Sequence, residues 1–304
     1  MAGQFQMAHA KSVIGAAIIA GGPYGCAESA FSGMVMGPAA TMLNASKAVS
    51  GCMLNAMAMW GVPDASALAR NAERLAERGD IDPLDDVKSD RVYLFSGTAD
   101  RIVMPAIVAA ARDFYRRIGV PDANVRFVSD MPAGHAFVTE SAGGACGLSG
   151  EPYVVDCDYD QAREVLTHIY GPLSPPAAAL AGVFRLFDQR PYTSDYFDDA
   201  GLSDAGVVYI PDACLGGGCR VHIAYHGCAQ SREMVGDAFV RGAGYARWAD
   251  TNRIVVLFPQ AKKSASNPQG CWDWWGYTSA DFLKKRAPQI VAVSRMLDRL
   301  AGKP

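Results

Sequence analysis

An α/β fold with a mostly parallel central sheet and helices on both faces is predicted by three features of the 304-residue chain. Short, nearly continuous apolar runs recur along it, the signature of strands buried on both sides. Segments with helical periodicity and recognisable start signals lie between them. Strand, helix and strand then come in succession, which within one sheet means parallel neighbours joined by right-handed crossovers.

Met1 to Ala10 carries apolar residues at Met1, Phe5, Met7 and Ala8, which suits the end of a helix. Val13 to Ala20 reads as a buried parallel strand, ended by Gly21-Gly22-Pro23. Helices are expected over Ala40 to Met59 and Ala65 to Arg78, the second capped by Asp64. Arg91 to Phe95 is the next strand, and Pro105 opens a helix to Ile118 from the position where a missing N–H is harmless. Val125 to Ser129 is again a strand. From Gly143 to Gly218 the pattern loosens. It holds one helix (Tyr159 to Ile169), a break at Pro172, Pro175 and Pro176, and strand-like runs at Val183 to Phe187 and Val207 to Ile210. The prolines read as a connection inside one sheet, because the runs beyond them need neighbours. Val221 to Tyr225 and Ile254 to Phe258 are further strands, linked by a helix near Ser231 to Asn252, and Arg286 to Ala301 closes the chain.

At 50% hydrophobic, 304 residues suffice for one large domain with a full core or for two small ones, and residues 1–304 are read as a single domain. A net charge of −3 without a basic stripe argues against nucleic acid as a partner. No apolar stretch is long enough for a membrane span. Nothing in the residues specifies an oligomeric state. No secretory signal stands at Met1, since Gln4, Gln6, His9 and Lys11 interrupt any apolar core there. The eight cysteines nevertheless point to an oxidising compartment. They sit in nearby couples, Cys26 with Cys52, Cys146 with Cys157 and Cys214 with Cys219, leaving Cys228 and Cys271. Spacing alone does not fix the pairing. Zinc is disfavoured because no couple has the two-residue spacing of a zinc knuckle, and no metal or organic cofactor is implied.

Four loops carry candidate chemistry. Asp100 comes after the strand at Arg91 to Phe95, in Ser96-Gly97-Thr98-Ala99-Asp100, and a rigid carboxylate there could orient an imidazole. Taken alone it reads more readily as a turn-forming or helix-capping aspartate. His135 comes after the next strand, in Ala133-Gly134-His135-Ala136-Phe137, and suits a general base. Both loops fall at the carboxyl edge of the sheet, where open α/β folds place their sites. His226-Gly227-Cys228 comes after Val221 to Tyr225, and the Cys228 N–H can point at a developing oxyanion. The imidazole of His226 itself reads as a strand-end group bonded to backbone. His9, His168 and His222 read as surface or core residues. Cys271-Trp272-Asp273-Trp274-Trp275-Gly276-Tyr277 gathers three of five tryptophans, and such rings on a loop suit a hydrophobic ligand or polymer. Packing beneath the sheet is the alternative for any one ring.

The order Asp loop, Gly-His-Ala-Phe, His-Gly-Cys-x-Gln and Gly-Cys-Trp-x-Trp-Trp-Gly resembles secreted poly(3-hydroxybutyrate) depolymerases of the circularly permuted, single-domain α/β-hydrolase kind. The likeness runs through nearly the whole chain, Ala20-Gly21-Gly22-Pro23-Tyr24-Gly25-Cys26-Ala27 included. In an ordinary α/β-hydrolase the oxyanion loop precedes the nucleophile, and acid and base come after it. Here the His-Gly-Cys loop comes last. The resemblance implies Asp100 as triad acid, His135 as base, the Cys228 N–H as one oxyanion donor, and Trp272, Trp274 and Trp275 lining a polyester cleft. It implies an extracellular or periplasmic location. It also implies a Gly-x-Ser-x-Gly-Gly elbow immediately before a Met-Ala like Met1-Ala2, so the serine and second donor are expected before residue 1, with this chain inactive alone. No such elbow occurs within the 304 residues. Ser141-Ala142-Gly143-Gly144 imitates half of one, with no strand expected before it and no helix after it, and Ser149 in Gly-Leu-Ser-Gly fails likewise. Two other readings stand beside this one: a feruloyl or acetyl-xylan esterase, and a non-catalytic polyester or carbohydrate binder.

Overall fold

The computed structural model describes residues 1–29, 37–53, 61–193 and 200–302. The chain forms two compact units, one comprising Met1–Ala136, Cys146–Ser149 and Asp273–Ile290, the other Phe137–Ala145, Gly150–Trp272 and Val291–Pro304.

The first unit is built on a parallel sheet of β1 (Gly15–Ile19), β2 (Arg91–Phe95) and β3 (Val125–Val128), in that spatial order. This is the predicted strand–helix–strand succession. The apolar run that suggested a strand from Val13 is only partly buried, because β1 lies at an edge of this sheet. β2, between two neighbours, is buried from Val92 to Phe95. A helix at Ala2–Ala8 precedes β1, and the helix expected from Ala40 runs Pro38–Cys52. The last residues of that expectation fall outside the described residues. Ala65–Glu77 is capped as the sequence requires: the Asp64 side chain accepts the Ser66 and Ala67 N–H groups at 2.8 and 3.1 Å. Pro105–Arg117 packs Ile107, Val108, Ala111 and Phe114 into one core with Leu94, Leu75 and Leu283.

Gln6 is the buried polar pivot of the first helix. Its Nε2 donates to Asp90 Oδ2 at 2.7 Å, and its Oε1 accepts from the Tyr115 hydroxyl at 2.7 Å. Satisfying both ends of the amide lets it sit in the core without a desolvation penalty.

The second unit contains two sheets. A small parallel one comprises β4 (Phe137–Thr139), β5 (Gly144–Ala145) and β6 (Val154–Asp156), with β6 central. None of these strands was predicted, being too short to show a period. A four-stranded sheet has the order β7 (Val183–Asp188), β8 (Ala205–Ile210), β10 (Ile254–Phe258), β9 (Arg220–Ile223). Here β8 is antiparallel to both neighbours, while β9 and β10 are parallel. The runs beyond the prolines are therefore paired strands, as expected, but antiparallel and in a sheet separate from that of β6 before them, so the prolines connect two sheets rather than lying inside one.

The single helix expected over Ser231 to Asn252 is three short ones, Arg232–Val235, Ala238–Gly242 and Tyr245–Thr251. Gly236 (φ 60°) and Gly244 (φ 83°) take left-handed backbone and interrupt it. The helix expected over Tyr159 to Ile169 is Gln161–Tyr170, capped by Asp160, and the last helix spans Pro288–Leu300. Among the described residues no helix is long and apolar enough to cross a membrane.

Candidate active site

β2 and β3 end side by side, and the loops at their carboxyl ends are bonded backbone to backbone. Ser96 N–H donates to Val128 O at 2.9 Å, Thr98 N–H to Met131 O at 2.8 Å, and Ala99 N–H to Ala133 O at 3.1 Å. Glycine permits this approach, since a Cβ on Gly97 would lie 2.0 Å from the Ala133 carbonyl oxygen.

The interlock delivers Asp100 to His135. Asp100 is fully buried, and its Oδ1 accepts the Ile102 and Val103 N–H groups at 2.8 and 2.9 Å. That fixes the carboxylate plane and leaves Oδ2 for His135 Nδ1, 2.8 Å away. The imidazole is partly exposed, its side chain 22% accessible against 0% for Asp100. With Nδ1 held by the carboxylate, Nε2 is the nitrogen that can exchange a proton with a reacting group.

Cys228 sits on a turn of the second unit. Gly227 N–H donates to Gln230 Oε1 at 2.8 Å, and Ala229 N–H to Gln269 O at 2.6 Å. The amide between them donates to no acceptor among the described residues. Ala229 takes a φ of 56°, a conformation that costs a non-glycine residue about 1–2 kcal/mol and that here turns the chain under the Cys228 amide. The far end of Gln230 donates from Nε2 to Tyr153 O at 2.7 Å. The Cys228–Cys271 disulfide ties this turn to the start of the tryptophan segment. His226 behaves as the sequence suggested. Its Nδ1 lies 2.8 Å from Gly227 O, its Nε2 accepts the Ala261 N–H at 3.0 Å, and burial pushes its pKa down to about 4. It is a structural, neutral imidazole. His222, on β9, is likewise a buried residue whose pKa falls to about 4 through burial.

The three tryptophans divide. Trp272 is buried, edge-on to Tyr225 with centroids 5.1 Å apart and tilted over His226 at 5.4 Å. Trp274 and Trp275, in the first unit, are half-buried, meet edge to face at 5.5 Å, and pack against Cys26, Ala48 and Cys52. Asp273 shapes their loop, its carboxylate accepting from the Gly276, Tyr277 and Thr278 N–H groups and the Thr278 hydroxyl. Burial raises its pKa against those four donors.

Disulfides join Cys26 to Cys52 and Cys214 to Cys219, as their proximity suggested, and Cys146 and Cys157 are also disulfide-bonded. Among the described residues no group of three His, Cys, Asp or Glu side chains could hold a metal.

Neither decoy serine forms an elbow. A strand does precede Ser141, contrary to expectation: β4 ends at Thr139. The next element is β5 rather than a helix, so the turn is strand–strand, and Thr139 Oγ1 locks it through the Ala142 N–H and C=O. Ser149 Oγ accepts the His135 backbone N–H at 2.8 Å. Sequence reasoning missed that contact, because a lone Gly-Leu-Ser-Gly carries no positional signal.

The chain is similar to two curated proteins. It is 38% identical over 308 residues to the poly(3-hydroxybutyrate) depolymerase of Delftia acidovorans, across 99% of this chain and 57% of that one. It is 29% identical over 313 residues to the polyhydroxybutyrate depolymerase of Talaromyces funiculosus, across 96% of this chain and 84% of that one. The chain belongs to the polyhydroxybutyrate depolymerase family. It spans little more than half the length of the Delftia member. The solved PHB depolymerase from Penicillium funiculosum superposes with a TM-score of 0.84 at 28% identity, covering 98% of this chain and 91% of that one. A serine-to-alanine PHB depolymerase complexed with an R3HB trimer gives 0.85 at the same identity and coverage. The fold is accordingly of the α/β-hydrolase type found in this depolymerase family, with the Asp100 and His135 loops ahead of the His-Gly-Cys loop in the chain. No family model matches the sequence.

Proposed function

We propose that this chain is the acid–base part of a serine-type ester hydrolase that cleaves poly(3-hydroxybutyrate) or related 3-hydroxyalkanoate oligomers. The observation that carries the reading is the buried Asp100 carboxylate, pinned by two backbone amides and 2.8 Å from His135 Nδ1. A serine hydroxyl attacks the ester carbonyl while His135 Nε2 takes its proton, and Asp100 stabilises the resulting imidazolium. The Cys228 N–H donates to the oxyanion, a contribution of about 3 kcal/mol to barrier reduction for one such donor. His135 then returns the proton to the departing alkoxide, and water releases the acyl group by the reverse sequence. Trp272, Trp274 and Trp275 are assigned to the polyester cleft, the half-buried pair Trp274 and Trp275 offering most ring surface.

The attacking serine is assigned to a segment outside these 304 residues. Ser149 is already committed to a backbone amide, and Ser141 lies on a strand–strand turn without the strained geometry of an elbow. The oxidised cysteines support a location outside the cytoplasm.

Turnover of 3-hydroxybutyrate oligomers tests the reading. Residues 1–304 alone should release negligible product, whereas a chain extended before Met1 by a Gly-x-Ser-x-Gly-Gly strand and turn should hydrolyse them and lose activity on His135→Gln. Hydrolysis of a p-nitrophenyl ester by 1–304 that Ser141→Ala abolishes would overturn the assignment of the serine. Preference of the extended chain for methyl ferulate would overturn that of the substrate.

A further inference from the structure

The backbone at Gly134 and His135 is held by the stretch Cys146–Ser149. The His135 backbone N–H donates to Ser149 Oγ at 2.8 Å, and the preceding Gly134 N–H donates to Cys146 O at 2.9 Å. The approach is close enough that a Cβ on Gly134 would lie 2.3 Å from the Leu148 carbonyl oxygen. The stretch Cys146–Ser149 belongs to the same compact unit as β2 and β3 although it comes after β5 in the chain, and Cys146 is disulfide-bonded. Its side-chain bond to the base loop comes from Ser149, and that bond falls on the residue whose ring meets Asp100.

We infer that Ser149 is a positioning residue for His135: its hydroxyl clamps the His135 backbone and thereby fixes the direction from which Nδ1 meets Asp100. The inference rests on His135 being the base. The loop after β3 is bonded to the acid loop through Ala133 and Met131, which lie before His135. Without Ser149 the peptide of His135 would lose this restraint, while Gly134 before it stays bonded to Cys146 O. A hydroxyl suits the position because it accepts from the amide without bringing a charge beside the Asp100–His135 pair.

The test uses the chain 1–304 with 15N-labelled histidine and needs no turnover. Hydrogen exchange of two protons is monitored, the His135 backbone amide and the ring proton shared between Nδ1 and Asp100. Ser149→Ala should leave the fold intact and speed exchange of the amide at least about fivefold, the factor expected for one net hydrogen bond. The ring proton should exchange faster as well. The pair Ser149→Thr and Ser149→Val reads the hydroxyl at constant volume should alanine unfold the protein, with threonine preserving both protections and valine losing both. Unchanged exchange of the ring proton in the alanine or valine variant would overturn the positioning role, as would loss of protection with threonine. Covalent capture of Ser149 by a fluorophosphonate would also overturn it, by making Ser149 the nucleophile. Absence of ester turnover in the extended chain would count against the proposed function and leave these exchange results standing.

Discussion

Replacing Gly97 by alanine asks whether the acid and base loops form one interlocked device. The new Cβ would lie 2.0 Å from the Ala133 carbonyl oxygen and 2.6 Å from its carbon. Comfortable separation of such atoms is about 3.5 Å, so the two backbones must part by more than about 1 Å. The Ala99 N–H to Ala133 O bond, 3.1 Å, and the Thr98 N–H to Met131 O bond, 2.8 Å, do not survive that displacement. Two net hydrogen bonds at about 1 kcal/mol each give about 2 kcal/mol. Overpacking against backbone, which cannot rotate away, adds about 1–3 kcal/mol. The expected loss is about 3–5 kcal/mol, a large share of the roughly 5–15 kcal/mol that holds a domain together. Urea unfolding at constant slope measures it. Gly79→Ala is the control, because Gly79 has a φ of +73° but nothing within 4 Å of an added Cβ. It should lose only the left-handed penalty of about 1–2 kcal/mol. A Gly97→Ala midpoint equal to or above that of Gly79→Ala would refute the interlock.

Asp100→Asn should lower kcat of the extended, serine-bearing enzyme about 10⁴-fold, or about 5 kcal/mol, because an amide facing Nδ1 enforces the wrong imidazole tautomer. A loss below tenfold in oligomer hydrolysis would show that Asp100 is a loop cap and no more. Asp90 governs a pH effect. Burial pushes its carboxyl up to about 6, opposed by the Gln6 hydrogen bond and aided by Asp86, so the folded chain keeps a proton that the unfolded chain releases near pH 4. Stability from this site is full below about pH 4 and lost as pH rises through about 6. Asp90→Asn, which still accepts from Gln6, should therefore raise urea stability by about 1–2 kcal/mol at pH 8, with little gain at pH 4. Equal gains at both pH values would contradict this. Removing the Cys228–Cys271 bond with paired alanines opens a loop of sequence separation 43 and should destabilise the chain by about 4 kcal/mol on chain entropy. An unchanged unfolding midpoint would show that the turn is held by Gln230 and Gln269 alone.

The legible part of the fold was the part written in long runs. β2 and β10 match their predicted limits because four consecutive apolar residues after Arg91, and five from Ile254, leave one reading between turn signals. The helices with a cap or a leading proline, Ala65–Glu77 and Pro105–Arg117, begin where the sequence said. The region after His135 was not legible. β4, β5 and β6 have two or three residues each, short of the roughly four to eight over which alternation can be recognised, and they are fixed by partners distant in sequence. Between Ser231 and Asn252 the apolar spacing looked helical throughout, and two glycines whose backbone turns left-handed cut it. Composition gave no sign that those glycines, unlike others, stand at breaks.

The candidate site shows the same division at a finer scale. Asp100, His135 and Cys228 could be singled out because each stands on a loop after a strand, Asp100 and His135 by side-chain chemistry and Cys228 by the backbone N–H that follows a glycine. What holds them is mostly backbone, and a carbonyl oxygen belongs to every residue. Ala133, Cys146, Leu148 and Gln269 present theirs to the Asp100, His135 and Cys228 loops without any need for their own side chains. Only the opposite partner in each close approach leaves a trace, because it cannot carry a Cβ: Gly97 against Ala133, and Gly134 against Leu148. The glycines in the Asp100 and His135 loops therefore report the contacts that position these residues. Substitutions at the faceless partners, such as Ala133 or Leu148, should be tolerated wherever their own side chains fit, while substitutions at the two glycines should not.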